Sequence, residues 1–127
     1  ALDAEFAKTG KLVGPLHGVV MAIKDQYDTF DQRTTAGADV EWANDRPPRD
    51  GEFVTRLRKA GAIILAKSNL GEYASGIPRS TWGGVFSNPY VTERSPMGSS
   101  SGSGFADVSN LVTCAIAEET GTSIRGA

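Results

Sequence analysis

The stretch Gly51-Glu-Phe-Val-Thr-Arg-Leu-Arg-Lys-Ala-Gly-Ala-Ile-Ile-Leu-Ala-Lys67 decides the fold class of this chain. Four apolar residues of its first half recur at helical spacing: Phe53, Val54, Leu57 and Ala60. Its basic residues gather toward the end of that helix, where the helix dipole favours cations, and Gly61 is predicted to end it. The second half, Ala62–Lys67, is a short apolar run that predicts a buried strand.

Two further apolar runs predict strands on either side of this unit. Gly18–Lys24 precedes the helix, and the helix supplies the crossover that two parallel neighbouring strands need. Leu111–Ala117 follows later in the chain and predicts a third buried strand. Asp50 is the predicted N-cap of the helix near 51–60. This order of elements indicates an α/β fold with its loops at one edge of the sheet.

Composition excludes several classes of protein. The 127 residues carry 13 basic and 15 acidic side chains, and strong non-specific nucleic-acid binding would need a basic surplus. No apolar run is long enough for a membrane-spanning helix. One cysteine, Cys114, and one histidine, His17, provide neither an internal disulfide nor zinc-ligand spacing. We therefore expect no metal, no cofactor, no nucleic-acid partner and no membrane segment.

Glycines and serines cluster in the region 98–104, within a chain of fifteen glycines. Taken alone, this cluster is equally compatible with a flexible linker. Its place between two predicted buried strands favours a functional loop. A phosphate-binding loop is the other alternative, but the Gly-Lys-Ser/Thr of a Walker loop and the glycine spacing of the dinucleotide fingerprint are both absent.

Two residues at predicted strand ends suggest acyl-transfer chemistry. Ser123 lies in the turn Glu119-Thr-Gly-Thr-Ser123 after the third strand, where backbone N–H groups could converge on an oxyanion. The alternative interpretation is an ordinary polar turn. Lys24 ends the first strand, and a lysine there usually extends to solvent. If it is buried, its pKa falls and its neutral amine can deprotonate a serine, as in Ser–Lys variants of the catalytic triad.

Together these features resemble the amidase signature family, from Gly14 to the end of the chain. The matching stretches are Gly14-Pro-Leu-His-Gly18, Ala22-Ile-Lys-Asp25, Thr34-Thr-Ala-Gly37, Leu57-Arg-Lys-Ala-Gly-Ala62, Ala66-Lys-Ser-Asn-Leu70 with Glu72-Tyr73, Gly83-Gly84 with Asn88-Pro-Tyr90, Gly98–Gly104 and Thr120–Arg125. Their order and spacing agree with the family pattern, which makes the combination specific.

The resemblance implies a Ser–cisSer–Lys triad and an acyl-enzyme intermediate. Ser123 matches the family's nucleophile, Ser99 its bridging serine held by a cis peptide bond, and Lys24 its base. The implied oxyanion hole is formed by backbone N–H groups of four residues: Thr120, Gly121, Thr122 and Ser123. The implied activity is hydrolysis of an amide bond, and the implied fold is a mixed sheet flanked by helices in which the three predicted strands are neighbours.

Four residues depart from the family pattern: Met97, Ser101, Glu119 and Thr122. Thr122 adds a Cβ atom where the turn is expected to need an unusual backbone angle. None of the four changes removes a triad residue or a backbone donor. They leave the substrate and the acceptor of the acyl group, water or another molecule, undefined.

Three other residues receive structural interpretations. His17 is expected to be structural, and Cys114 an inert core residue. Arg125 is expected to meet a carboxylate on one of three residues, Asp25, Glu118 or Glu119.

Residues 1–127 are interpreted as the N-terminal portion of a single amidase-type catalytic domain. The expected partners are a small-molecule amide substrate and the remainder of a parent chain, the expected location is cytoplasmic, and a homo-oligomer is compatible with these features. We expect apolar residues of Val19–Ile23 and Leu111–Ile116 to be exposed in this portion alone. The alternative function is that of a non-catalytic or incomplete piece of a larger amidase or amidotransferase assembly.

Overall fold

A computed structural model describes the backbone of residues 1–127 and the side chains of residues 1–41 and 44–127. The α-helices are α1 (Leu2–Thr9), α2 (Glu52–Lys59) and α3 (Ser101–Val108). Two 3₁₀ turns span Glu41–Asn44 and Glu72–Ala74. The strands are β1 (Val20–Lys24), β2 (Ile63–Ser68), β3 (Arg79–Ser80), β4 (Gly84–Val85) and β5 (Cys114–Ile116). No helix in this described part of the chain is both long and apolar enough to cross a membrane.

The main sheet has three parallel strands in the order β2-β1-β5. Lys24 pairs with Ser68 on one side of β1, and Ile23 pairs with Ile116 on the other. Helix α2 is the crossover between β1 and β2, as the sequence predicts. The antiparallel pair β3–β4 forms a separate small sheet. These features confirm the α/β class and place the C-terminal ends of three strands at one edge.

The core lies around the central strand. Met21 and Ile23 of β1 are buried with Val54 of α2 and with Ala62 and Ile64 at β2. The expected exposure of Val19–Ile23 is therefore wrong for the strand itself, because β1 has a neighbour on each side and α2 packs against it. Two leucines away from the central strand are exposed: Leu65 of β2 is 58% exposed, and Leu111, three residues before β5, is 60% exposed.

Helix α3 contacts the sheet, and the sequence pattern does not predict it as a helix. The cluster 98–104 is a loop only in its first part, because α3 begins at Ser101. The hydroxyl of Ser103 lies 2.7 Å from the hydroxyl of Ser68 and donates to the carbonyl of Ile116 at 3.1 Å. Serine in this helix therefore makes bonds to both outer strands, where the sequence pattern shows only a polar, glycine-rich run.

Helix and strand ends differ from prediction by a few residues. The third strand is only Cys114–Ile116 instead of 111–117. Gly51, not Asp50, is the N-cap of α2. The Asp50 carboxylate instead accepts the N–H of Phe30 at 3.0 Å and pairs with Arg58 at 3.0 Å, so it ties the preceding loop to the helix.

Candidate active site

The ends of β1 and β5 bring the predicted residues together at one edge of the sheet. Lys24 is the last residue of β1, and Glu118 follows β5 by two positions. Ser99 comes from the loop that enters α3, and the Gly98–Ser99 peptide is cis, as the family resemblance implies. The carboxyl ends of parallel strands are the usual place for a site in an α/β fold.

Three side chains form a continuous row of contacts. The Lys24 Nζ lies 2.8 Å from the Ser99 Oγ, and the Ser99 Oγ lies 2.8 Å from the Ser123 Oγ. These two contacts agree with the bridging place that the family resemblance implies for Ser99. Lys24 and Ser99 are both fully buried, while Ser123 is partly exposed. The row therefore leads from a buried amine to a hydroxyl that solvent can reach.

The lysine has an acceptor for each of its three N–H bonds. Besides Ser99, the Nζ lies 3.2 Å from the carbonyl oxygen of Glu118 and 3.4 Å from its carboxylate Oε2. An ammonium has three donors and no acceptor, so this set satisfies it. Burial lowers the pKa of Lys24 below its ordinary value, and the charge and hydrogen bond of Glu118 act in the opposite direction.

Glu118 is a site residue that the sequence analysis missed as a partner of Lys24. A signal was available, because Glu118 follows a predicted strand whose C-terminal end lies at the same sheet edge as Lys24. Its Oε2 also accepts from the Gln26 amide at 3.2 Å, and its Oε1 accepts from the Thr120 hydroxyl at 3.1 Å. The Gln26 hydrogen bond is the main cause that lowers the pKa of Glu118, so the carboxylate stays ionised.

The turn that carries Ser123 is closed by Glu119. One carboxylate oxygen accepts the backbone N–H groups of Ile124 and Arg125, each at 2.7 Å. The other pairs with the Arg125 guanidinium at 2.5 Å. Of the three carboxylates considered for Arg125, Glu119 is therefore the partner. The Arg125 guanidinium also donates to the carbonyl of Gly121 and so spans the turn.

The N–H groups that are predicted to form the oxyanion hole make no hydrogen bond to other described residues. None of the backbone N–H groups of residues 120–123 donates to an acceptor among the described residues. The carbonyl of Ser123 accepts the N–H of Ser100 at 3.1 Å, which joins the turn to the loop before α3. Thr122 does not adopt a positive φ, so the expected strain there is wrong. Met97 does, with φ 59°.

A second lysine near the C-terminal ends of the strands, Lys67, is half-buried and has no role in the sequence analysis. Lys67 of β2 pairs with Asp25 at 3.0 Å, and both side chains are about 10% exposed. Asp25 also accepts from the backbone N–H of Thr35 at 3.2 Å and from its hydroxyl. Asp25 is therefore engaged away from Lys24, although the two are adjacent in sequence.

The structure supports the structural interpretations of His17 and Cys114. The His17 Nδ1 accepts the backbone N–H of Val13 at 3.0 Å, and its ring lies 6.1 Å from that of Phe6. Cys114 is half-buried on β5 and packs against the core. Neither is among the contacts of the row.

A buried lysine, a buried bridging serine and a partly exposed serine thus lie in one row, next to a turn whose backbone N–H groups have no acceptor among the described residues. The profile of the Amidase family matches residues 1–126, and the chain belongs to this family.

The relatives that the chain resembles are named for different enzymes. The chain is 42% identical over 126 residues to a glutamyl-tRNA(Gln) amidotransferase subunit of Bdellovibrio bacteriovorus, covering 98% of this chain and 25% of that protein. It is similar to the peptide amidase of Stenotrophomonas maltophilia, with a TM-score of 0.87 and 41% identity over 95% of this chain and 26% of that one. It is also similar to a fatty acid amide hydrolase, with a TM-score of 0.91 and 28% identity over 98% of this chain and 22% of that one. The chain thus spans about a quarter of the length of the relatives it matches.

Proposed function

We propose that the protein carrying this chain hydrolyses amide bonds, with Ser123 as nucleophile, Ser99 as proton bridge and Lys24 as base. The observation that carries the proposal is the row of two 2.8 Å contacts from the buried Lys24 amine to the partly exposed Ser123 hydroxyl. Nucleophile and base within hydrogen-bond reach through an oriented third group is the arrangement that activates a serine. Membership of the amidase family supports the same class of reaction.

The direction of the hydrogen bonds defines which charge state is active. An ammonium at Lys24 can only donate to Ser99, so Ser99 then donates to Ser123. A neutral amine has a lone pair that accepts from Ser99, which can in turn accept from Ser123. The active form therefore has a neutral Lys24, and burial favours that form by lowering the lysine pKa.

The proposed reaction has two stages. As the Ser123 Oγ attacks the amide carbonyl, its proton passes to Ser99 and the Ser99 proton passes to Lys24. Lys24 returns a proton through Ser99 to the leaving nitrogen, the C–N bond breaks, and an ester to Ser123 remains. Water then attacks this ester with the same proton route, which releases the acid and restores Ser123.

The turn at residues 120–123 is proposed to stabilise the oxyanion. Its four backbone N–H groups donate to no acceptor among the described residues, so they are free to receive the negative oxygen of the tetrahedral intermediate. Preorganised donors of this kind are worth about 3–4 kcal/mol per donor in the transition state. Glu119 and Arg125 hold the turn in place without occupying these donors.

The substrate is proposed to be a small molecule with an amide group. The relatives' names include a peptide amidase and a fatty acid amide hydrolase, which share only that group. The proposed partner is the remainder of the parent chain, because this chain spans about a quarter of its relatives. We also propose a cytoplasmic location and compatibility with a homo-oligomer.

A second candidate function is that of a structural piece of a larger amidase or amidotransferase assembly. The specific observation in its favour is that one relative is named as a subunit of an amidotransferase. In that case the protein has the arrangement of Lys24, Ser99 and Ser123 but does not hydrolyse amides by itself.

Hydrolysis assays on the intact protein separate the two candidates. A panel of primary amides with peptide and acyl groups is incubated with the protein, and release of ammonia is compared with a Ser123→Ala control. Turnover that this substitution removes supports the hydrolase. A folded intact protein with no turnover above the control across the panel favours the structural piece.

A further inference from the structure

We infer that Glu118 is a positioning residue that sets the pH at which Lys24 becomes a base. This inference rests on the proposed function, because it concerns the proton-accepting step at the same site. It is drawn from contacts that the sequence motifs do not include. The carboxylate lies 3.4 Å from the Lys24 Nζ, and the carbonyl of the same residue lies 3.2 Å from it.

Glu118 aims the lone pair of the neutral amine. A neutral lysine has two N–H bonds and one lone pair. The carbonyl and the carboxylate of Glu118 can accept the two N–H bonds, which leaves the lone pair directed at the third neighbour, Ser99, at 2.8 Å. A single residue therefore fixes the orientation of the amine toward the proton it receives.

The carboxylate also favours the charged form of the lysine. An anion this close to an ammonium stabilises it, and it does so strongly because Lys24 is fully buried. Gln26 and Thr120 each donate to the carboxylate, at 3.2 and 3.1 Å, which holds it in place and keeps it ionised. The burial of Lys24 and the charge of Glu118 thus act in opposite directions on the lysine pKa.

The other charged groups around Lys24 have different partners. Asp25 faces Lys67 of β2, at 3.0 Å, and Glu119 faces Arg125. Tyr27 donates its hydroxyl to the carbonyl of Ala117 at 3.2 Å, and burial raises the pKa of this tyrosine. The loop before α3 presents the Ser99 hydroxyl to Lys24. Among the described residues, Glu118 is the carboxylate paired with Lys24.

The test measures the pH dependence of Ser123 acylation by a fluorophosphonate in the intact protein. In this reaction the Ser123 Oγ forms a bond to phosphorus, fluoride leaves, and the serine proton passes toward Lys24. Glu118→Gln retains an oxygen that can accept from the amine but removes the negative charge. Lys24 then loses its proton more easily, so the midpoint of the labelling rate moves to lower pH. On the rising limb, we expect roughly tenfold faster labelling relative to each protein's own plateau.

Glu119→Gln is the matched control, since it neutralises the adjacent carboxylate, which faces Arg125. It is expected to lower the plateau and leave the midpoint unmoved. Glu118→Thr is a second neutral variant, and thermal melting verifies that each variant is folded. An unchanged midpoint in both Glu118 variants, with Ser123 labelled normally, overturns the inference alone. A folded wild-type protein that is not labelled at Ser123 at any pH overturns the proposed function as well.

Discussion

The Glu119 carboxylate and the Arg125 guanidinium lie 2.5 Å apart and close the turn that presents Ser123. The same carboxylate accepts two consecutive backbone N–H groups at the far side of the serine. Both oxygens of Glu119 are therefore engaged within six residues of chain. The N–H groups of residues 120–123 have no acceptor among the described residues. The turn keeps its shape because the Glu119 carboxylate accepts the next two N–H groups, those of Ile124 and Arg125.

Removing Glu119 should therefore damage catalysis more than folding. Glu119→Ala leaves the N–H groups of Ile124 and Arg125 without their acceptor, and the turn shifts relative to Ser99. We expect kcat to fall by about 100-fold, because a displacement of about 1 Å has that effect on a positioned nucleophile. Amide hydrolysis and melting temperature are measured together. The control is Glu52→Ala on α2, whose carboxylate pairs with Arg56 at the surface and should change neither quantity appreciably.

The three residues of the row should differ in their contribution. Ser123→Ala and Lys24→Ala are each expected to reduce kcat/KM by several orders of magnitude, because the groups act as a unit. Ser99→Ala should cost less, since a water molecule can occupy the place of the missing hydroxyl and relay the proton. Steady-state kinetics on one amide provide the comparison. Full activity of Lys24→Ala would mean that another group is the base.

Two glycines of α3 should respond oppositely to alanine. A Cβ atom on Gly102 would overlap the backbone of Asn69, whereas one on Gly104 would have its nearest contact at an ordinary 3.6 Å. Gly102→Ala should therefore destabilise the protein by about 1–3 kcal/mol through overpacking and displace α3 from β2. Gly104→Ala should stabilise it by up to about 1 kcal/mol through helix propensity. Chemical denaturation measures the free energy of unfolding of both variants. Equal changes in this free energy would contradict the close approach of Gly102 to the Asn69 backbone.

The backbone at Met97 should favour glycine. Met97 has φ 59°, and its side chain is 54% exposed, so it loses little packing when truncated. Left-handed backbone costs a residue with a Cβ atom about 1–2 kcal/mol. Met97→Gly should raise the melting temperature relative to Met97→Ala, which loses the same side chain but keeps the Cβ atom. Equal melting temperatures of the two variants would show that the surroundings relieve this strain.

The sequence predicted the elements with the strongest periodicity and missed those that depend on tertiary contacts. The strands at 18–24 and 62–67 and the helix near 51–60 were recognisable because apolar spacing defines them locally. Helix α3 was missed because serines and glycines form its first half. Its Ser103 bonds to β2 and β5, and Gly102 is required by the close approach of Asn69. None of these contacts is visible in a local pattern.

In the site, too, some residues were predicted from the sequence and others depend on tertiary contacts. The family resemblance was enough to predict that Ser99 bridges Lys24 and Ser123, and the two distances are 2.8 Å. The contacts of Glu118 with Lys24 and of Lys67 with Asp25 were missed because they depend on which strand ends are adjacent. The order β2-β1-β5 places Glu118 beside Lys24 on one side, and Lys67 beside Asp25 on the other.

Residues 1–127 expressed alone should associate and lack turnover. Leu65 on the outer strand β2 is 58% exposed, Leu111 just before β5 is 60% exposed, and uncovered strand edges pair with other chains. Sedimentation should show species larger than a monomer, and hydrolysis of a chromogenic amide should equal that of Ser123→Ala. Replacing Leu65 and Leu111 by glutamate should reduce the association. The matched control is Leu12→Glu, a leucine that is 63% exposed in the segment between α1 and β1. A monomeric chain with turnover above the Ser123→Ala control would show that this quarter of the family fold is sufficient for catalysis.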